Sequence, residues 1–171
     1  FAKENRAKTT GSVIEIIRRL VAEYADFTEI EVSEPIDCHH NYAAYEEHAG
    51  KRIWVHRKGT IRVREGEWGI IPGAMGSTSY LVKGKGSPES FHSCSHGAGR
   101  QMSRKEAMEK FGVEDTILDL ESKRIFLGKT RKRDIGEEAR FAYKDIDFVI
   151  ANELDLIEPI RKLETLGVVK G

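Results

Sequence analysis

The chain has 171 residues, enough for one domain with a hydrophobic core. It carries 28 basic and 28 acidic residues, so no bulk charge draws it to nucleic acid and any such contact needs a local patch. Two cysteines, Cys38 and Cys94, favour a reducing compartment over a disulfide framework. No apolar run approaches the ~20 residues that span a bilayer, and no segment reads as a signal peptide. Because the chain opens on Phe1 within a charged segment, we expect a piece of a longer protein or a processed product.

The first half of the chain predicts one helix followed by short strands. Apolar periodicity predicts an amphipathic helix over residues 12–25, and Ser12 and Glu15 have the spacing of a capping box. Alternation predicts a strand over residues 30–36, with Pro35 near its end. Glycine-separated short strands are predicted at 53–55, 60–63, 68–71 and 79–82.

The second half mixes helices and strands irregularly. Ser103 and Glu106 form a capping box that predicts a helix over 103–111, and Ile146, Val149 and Ile150 predict the buried face of a helix over 144–152. Other predictions are a strand at 123–127, a solvated loop at 130–140, an apolar-periodic stretch at 153–163 broken by Pro159, and a final strand at 166–171. This order favours an α+β fold over a doubly wound sheet.

Histidine and glycine concentrate in the middle of the chain. All six histidines lie between His39 and His96, and ten of the sixteen glycines lie between Gly50 and Gly99. We therefore expect the chemistry in the central half, with scaffold on both sides.

The segment SCSHGAGR is the strongest candidate for a reactive centre. His96 precedes a small, flexible run at 97–99, and Arg100 and Arg104 follow at once. Glycine lets backbone N–H groups approach an anion, arginine binds phosphate oxygens bidentately, and a neutral imidazole can attack phosphorus. The alternative is a surface turn with a solvated histidine.

A second cluster of potential ligands lies at residues 37–41. Imidazole, thiolate and carboxylate all bind divalent metals, and here they are neighbours: Asp37, Cys38, His39, His40 and Asn41. Adjacent strand residues point to opposite faces, so we expect at most one of the two histidines in a metal site. The alternative is a hydrogen-bonded histidine beside a turn.

Two further segments suit phosphate. Residues 72–76 form a small-residue turn, and three hydroxyl residues follow at 77–79. Together they can present N–H and O–H donors to a phosphate. The segment is not a Walker loop, because no G-K-[ST] ends it, and the alternative is an ordinary turn. The segment 56–64 is the best basic patch for a polyanion, with a solvated strand face as the alternative. Its members are His56, Arg57, Lys58, Arg62 and Arg64.

Several long strings carry a family resemblance. They are HHNYAAYEEH, WVHRKGTIR, GIIPGAMGSTSY, SPESFHSCSHGAGRQMSR, FAYKDID and the terminal VVKG. In this order and with similar spacing, they resemble the C-terminal part of the RtcB family of GTP-dependent RNA-splicing ligases. The resemblance covers essentially the whole chain, so we expect residues 1–171 to be the C-terminal part of a single RtcB-like α+β catalytic domain whose N-terminal half is absent.

The resemblance implies an activity. The family joins RNA ends that bear a 3′-phosphate or 2′,3′-cyclic phosphate to 5′-hydroxyl ends, in tRNA splicing or RNA repair. A histidine first takes GMP from GTP, the GMP passes to the RNA 3′-phosphate, and the 5′-hydroxyl displaces it, with Mn²⁺ supporting these steps.

The resemblance also implies residue roles. His96 matches the nucleophile, His40 a metal ligand, and Arg100 and Arg104 match positions suited to phosphates of the nucleotide or RNA. Ala74 stands where the family often has Ser, so one hydroxyl donor is missing. The positions that match guanylate-binding residues are Asn41, Pro72, Gly73, Ala74, Met75, Ser79, Gly97, Ala98, Gly99, Tyr143 and Lys170.

Most of the family's metal ligands lie in the N-terminal half, so we expect this chain alone to be inactive. The implied partners are RNA (tRNA halves or broken RNA ends), the N-terminal half of the ligase and, as a further candidate, archease, with no membrane, in the cytoplasm. One alternative is a non-catalytic RNA- or guanylate-binding module of the same family. A metal phosphohydrolase is less favoured, because only His40 has a ligand-like context.

Overall fold

The computed structural model describes residues 1–24, 31–33, 35–128 and 134–169. They form two compact units, residues 1–39 and residues 40–171. In the first unit the predicted helix is confirmed but begins earlier, as α1 (Ala2–Tyr24), and its apolar residues Val13, Ile16 and Leu20 are exposed. In that part of the chain which the structure describes, no helix is long and apolar enough to cross a membrane.

The strand predicted over residues 30–36 is wrong where it can be checked. Residues 31–33, 35 and 36 carry no regular secondary structure, and residues 30 and 34 lie outside the described part. Asp37, just beyond, is held by an ion pair with Arg6 at 2.7 Å rather than by a neighbouring strand.

The second unit opens with a long β-hairpin. Strands β1 (Asn41–His48) and β2 (Lys51–Lys58) pair in antiparallel register from Asn41 opposite Lys58 to His48 opposite Lys51. The two residues between them, Ala49 and Gly50, have positive φ angles of 50° and 72°, which suit a tight two-residue turn. Burial alternates along both strands, so one face of the hairpin packs inward and the other is exposed.

Three small sheets enclose the core of the second unit. Strand β3 (Thr60–Arg62) pairs with β6 (Ser93–Ser95), and β4 (Trp68–Ile71) pairs with β5 (Ser79–Gly84). The other edge of β5 pairs with β8 (Ile157–Leu163), while β7 (Phe126–Gly128) and β9 (Gly167–Val169) pair in parallel. Fully buried aliphatic side chains from these strands fill the space between them: Ile61, Ile71, Val82 and Ile157.

Pro159 lies inside β8 rather than ending a segment. It sits opposite Val82, where the register of β5 and β8 shifts between Leu81 and Val82. Proline lacks an N–H and is tolerated at an edge strand or a bulge, so β8 continues through it.

The helices of this unit lie in its second half, and together with the small sheets they confirm the predicted α+β fold. Helix α2 (Arg104–Lys110) has the predicted cap, since the Glu106 backbone N–H donates to the Ser103 hydroxyl at 3.1 Å. Helix α4 (Ile146–Ala151) is confirmed, capped by Asp145, with Ile146 and Ile150 buried. Helix α3 (Val113–Ser122) was not predicted.

The solvated loop predicted over residues 130–140 is wrong in its described part. Residues 129–133 lie outside the described part, and two short 3-10 turns follow, Ile135–Glu138 and Arg140–Ala142. Ile135 and Ala139 are buried and Arg140 is paired with Asp119 at 2.9 Å, so this charged segment packs into the fold.

Candidate functional site

His96 follows directly on β6 and is held by the turn between β2 and β3. Its Nδ1 lies 2.8 Å from the backbone carbonyl oxygen of Gly59. A carbonyl only accepts hydrogen bonds, so this contact assigns the proton of the neutral ring to Nδ1. The lone pair is then on Nε2, the nitrogen that remains able to act as a nucleophile or a ligand.

Gly59 joins the two histidines singled out from the sequence. Its N–H donates to the carbonyl oxygen of His40 at 2.9 Å, and the rings of His40 and His96 stack with centroids 5.0 Å apart. Gly59 has a φ of +78°, and a Cβ there would lie 3.7 Å from the His96 ring. A side chain at this position would therefore strain the turn that places His96.

The strand before His96 is anchored by an acidic side chain from a distant part of the chain. The carboxylate of Glu153 accepts hydrogen bonds from the backbone N–H of Ser95 at 3.0 Å and from its hydroxyl at 2.9 Å. This anchor fixes the residue directly before His96. No sequence pattern pointed to it, because the two partners are separated by 58 positions.

The small-residue turn and the run at 97–99 pack against each other. The N–H of Ala98 donates to the carbonyl oxygen of Pro72 at 3.2 Å, and a Cβ on Gly97 would approach that oxygen to 3.0 Å. Within the turn, the Gly73 N–H donates to the Ser79 hydroxyl at 3.3 Å. Two segments predicted separately to suit phosphate are thus parts of one surface.

A cavity of about 280 Å³ opens beside this surface. Four predicted guanylate-binding residues line it: Gly73, Ala74, Met75 and Ser79. Val168 and Val169 of β9 also line it; Lys170, which follows in sequence, lies outside the described residues. The volume is close to the lower limit for small-molecule sites, which begin near about 300 Å³.

Other predicted guanylate positions do not line this cavity. Asn41 lies exposed at the start of β1, opposite Lys58. Tyr143 lines a larger, open depression of about 820 Å³, which shares Gly76 and Thr165 with the smaller cavity but has no wall from residues 72–75; residues 96–99 line neither of them. The smaller cavity is therefore the better guanylate candidate.

Arg100 and Tyr143 both contact the carboxylate of Glu138, which also lines the smaller cavity. The guanidinium lies 3.0 Å from one carboxylate oxygen of Glu138 and 4.6 Å above the Tyr143 ring, and Tyr143 donates to the other oxygen at 2.5 Å. Burial and this hydrogen bond raise the pKa of Tyr143 to about 12, so the phenol keeps its proton. Arg104 is mostly exposed and lies 3.3 Å from Glu137.

The basic patch predicted over residues 56–64 is wrong as a continuous surface. Alternation turns Arg57 inward, where it is 2% exposed and forms two hydrogen bonds to Glu46, at 2.7 and 2.9 Å. Arg62 is half-buried and paired with Glu67 at 2.7 Å. The hydrogen bonds from Arg57 lower the pKa of Glu46 from 4.5 to about 2.

Arg57 also holds the turn that precedes β6. It donates to the carbonyl oxygen of Phe91 at 2.8 Å and to the Ser93 hydroxyl at 3.0 Å. Phe91 and His92 have φ angles of 54° and 53°, a left-handed conformation uncommon for such residues. The buried guanidinium therefore binds a strained turn shortly before His96.

The ligand cluster predicted at 37–41 does not gather into one metal site. Asp37 and His39 both contact Arg6 within the first unit, at 2.7 and 2.8 Å, while His40 opens the second unit against His96. Within the described ranges, no group of three or more His, Cys, Asp or Glu side chains is arranged to hold a metal ion. His40 offers a single nitrogen, and a manganese shell needs further ligands.

The chain also matches a family of known proteins. The family described as "tRNA-splicing ligase RtcB" matches residues 1–171, the full chain. The chain therefore belongs to the RtcB family.

Named relatives agree with that membership. The chain is 41% identical over 171 residues to the RNA-splicing ligase RtcB of Escherichia coli (strain K12), covering 100% of this chain and 41% of that protein. It is 34% identical over 192 residues to the tRNA-splicing ligase RtcB of Nanoarchaeum equitans, covering 100% and 40%. A match to the Methanopyrus kandleri protein of the same name is 36% identical over 173 residues, with 87% and 18% covered. The chain thus spans about two fifths of the length of the first two relatives.

Proposed function

We propose that this chain is the nucleophile-bearing C-terminal part of an RNA ligase that joins 3′-phosphate or 2′,3′-cyclic phosphate ends to 5′-hydroxyl ends through a His96–GMP intermediate. The observation that carries the proposal is the 2.8 Å contact between His96 Nδ1 and the Gly59 carbonyl, which leaves Nε2 with the lone pair. Family membership and relatives named RNA-splicing or tRNA-splicing ligases support the substrate class.

The proposed first step uses the two ring nitrogens differently. Nε2 of His96 attacks the α-phosphorus of GTP, an N–P bond forms, and the bond to the pyrophosphate leaving group breaks. The ring becomes cationic as its lone pair is shared, and the Gly59 carbonyl stabilises the N–H that carries this charge. A 2′,3′-cyclic phosphate is first opened by hydrolysis to a 3′-phosphate. The GMP then passes to the RNA 3′-phosphate, and the 5′-hydroxyl attacks that phosphorus to form the phosphodiester bond as GMP leaves.

The glycine-rich surface is the proposed guanylate site. The cavity lined by Gly73, Met75 and Ser79 lies beside the loop that packs on Gly97 and Ala98. Backbone N–H groups in such small-residue turns bind phosphate oxygens. Arg100 is the nearby cation, already paired with Glu138, so a phosphate would share its donors with that carboxylate.

Mn²⁺ would neutralise the triphosphate, with His40 as one proposed ligand. Among the described residues no group of three or more His, Cys, Asp or Glu side chains is arranged to complete a metal shell, so we propose that the chain needs an N-terminal half, on the same or another chain. RNA ends are the proposed substrate and archease a proposed partner.

The test is GMP transfer from labelled GTP with Mn²⁺, with and without an RtcB N-terminal half, followed by mass spectrometry of the adduct. We expect an acid-labile GMP on His96 only when the N-terminal half is present, and none in His96→Ala. His39→Ala is the matched control, since its ring lies against Arg6 in the first unit. An adduct on His96→Ala would refute the assignment, whereas GMP or RNA binding without an adduct in the completed enzyme would support the alternative, a binding module.

A further inference from the structure

We propose that the exposed face of the β1–β2 hairpin is a stacking platform for single-stranded RNA next to His96. We call Tyr45, Arg52 and Trp54 the aromatic platform. This inference rests on the proposed function, because it identifies the surface of this chain that binds the RNA that the ligase would join.

Two large aromatic rings are exposed side by side on this face. Tyr45 and Trp54 are directly opposite in the register of β1 and β2, and their ring centroids are 5.3 Å apart at an angle of 39°. Tyr45 is 49% exposed and Trp54 is 66% exposed. Exposed aromatic rings are the usual partners of unstacked RNA bases, and stacking tolerates any base because each has a π-face.

Cations border the rings. The guanidinium of Arg52 lies 4.7 Å from the centre of the Tyr45 ring, in a cation–π contact. Lys58 is exposed at the other end of the same face, and Glu47 is the carboxylate opposite Arg52. The face therefore carries two permanent cations against one anion, which complements a phosphate backbone although the whole chain has no net charge.

The platform lies on the hairpin whose open end holds His96. Strand β1 begins directly after His40, and β2 ends directly before Gly59, so the open end of the hairpin is the end that contacts His96. Trp54 is four strand residues from Lys58, or ~14 Å along the strand. Nucleotides next to an RNA end held at His96 lie within that reach.

The hairpin packs on the protein through its inward face, so the aromatic platform on the outward face is not part of the core. On the inward side, Glu46, Val55 and Arg57 are buried. Arg57 donates hydrogen bonds to the Glu46 carboxylate. Tyr45 and Trp54 thus keep about half or more of their surface exposed in the folded chain. A ligase that accepts ends of varied sequence needs a contact that does not read bases, and base stacking supplies it.

The first experiment follows the fluorescence of Trp54 in the 171-residue chain. Trp68 is the other tryptophan, so Trp68→Phe leaves Trp54 as the only indole. We expect a single-stranded uridine oligomer to quench its emission, and an abasic oligomer of equal length and charge to quench it far less. No quenching by the uridine oligomer would overturn the proposal.

The second experiment measures RNA affinity by fluorescence anisotropy. We expect Tyr45→Ala/Trp54→Ala to weaken binding of the uridine oligomer about tenfold or more. Arg52→Gln should reduce the slope of log affinity against log salt by about 0.7. Phe148→Ala is the matched control, because Phe148 is equally exposed but lies on α4, and it should bind as the parent does. An unchanged affinity in the double variant would refute the platform.

The outcomes separate this inference from the proposed ligase. RNA binding that depends on the platform, with no GMP adduct in the completed enzyme, refutes the ligase and keeps the platform. If a GMP adduct forms on His96 and the RNA affinity is unchanged in Tyr45→Ala/Trp54→Ala, only the platform is refuted. If an RtcB N-terminal half shields Trp54 from acrylamide quenching without RNA, the face is a protein interface and the proposal fails.

Discussion

Gly59 and His96 are joined by a 2.8 Å contact from the ring Nδ1 to the backbone carbonyl oxygen. Because Gly59 also donates its N–H to the His40 carbonyl, one residue positions both histidines. Its left-handed φ of +78° makes this placement dependent on glycine.

Gly59→Ala should both destabilise the fold and slow GMP transfer. The left-handed conformation costs an alanine about 1–2 kcal/mol, and relaxing that strain moves the carbonyl that holds His96. We expect a lower denaturation midpoint in urea and at least a roughly tenfold slower formation of the GMP adduct in the completed enzyme.

Gly50→Ala is the control for that variant. Gly50 has a φ of +72° at the far tip of the hairpin, and a Cβ added there would meet nothing within 4 Å. It should lose similar stability while forming the adduct at the parental rate. Equal losses of adduct rate in both variants would contradict the positioning role of Gly59.

Arg57→Met should be among the most destabilising single substitutions in the chain. It removes the partner of a buried carboxylate and the donor to the Phe91 carbonyl, and breaking a buried pair in this way costs about 3–5 kcal/mol. Urea unfolding measures the loss. Arg62→Met breaks a half-buried pair with Glu67 and should cost about 1 kcal/mol or less, so similar losses in the two variants would contradict the buried role.

Glu46 should make the fold acid-sensitive. Its pKa is lowered from 4.5 to about 2 in the folded chain, chiefly by hydrogen bonds from Arg57, so the folded state favours the carboxylate. That stability is present above pH 4.5 and is lost as the pH falls toward 2. Glu46→Gln should show a shallower fall in unfolding free energy across this window, measured by urea titration at several pH values. A slope as steep as the parent's would assign the acid sensitivity to other carboxyls.

Ala74→Ser should tighten GTP binding. Ala74 lines the candidate guanylate cavity and is buried, and a hydroxyl there adds one donor at a wall of small residues. One hydrogen bond contributes about 0.5–1.5 kcal/mol, so we expect a roughly two- to tenfold lower dissociation constant by calorimetry with the completed enzyme. Ala43→Ser, on the exposed face of β1, should leave GTP affinity unchanged. Weaker binding in Ala74→Ser would indicate that the cavity has no room for the oxygen.

Local patterns in the sequence predicted the parts of the fold whose causes are local. The capping box of Ser103 and Glu106, the buried face of α4 and the glycine-rich loops all depend on residues a few positions apart. Strand β1 was missed because Ala and Glu are weak strand formers, and its inward Glu46 is compensated only by Arg57 from the next strand.

Composition singled out residues for the candidate site but not the contacts that support them. His96, the run at 97–99 and the turn at 72–76 stand out by composition and do come together. Glu153 and Glu138 could not be assigned from sequence, since their partners are set by tertiary contacts. The basic patch predicted over residues 56–64 failed at Arg57, because the strand register, which decides which face is buried, depends on tertiary contacts.

Alternate residues of the hairpin strands face opposite sides, so packing and surface exposure fall on different residues. Tyr42, Glu46 and Arg57 face the protein, and Tyr45 and Trp54 face outward, yet all belong to two adjoining strands. A saturation scan along residues 41–58 should therefore show tolerance that alternates at every second position, with opposite phase in the two strands. The outward residues can therefore be substituted without disturbing the buried residues that hold the turn before His96.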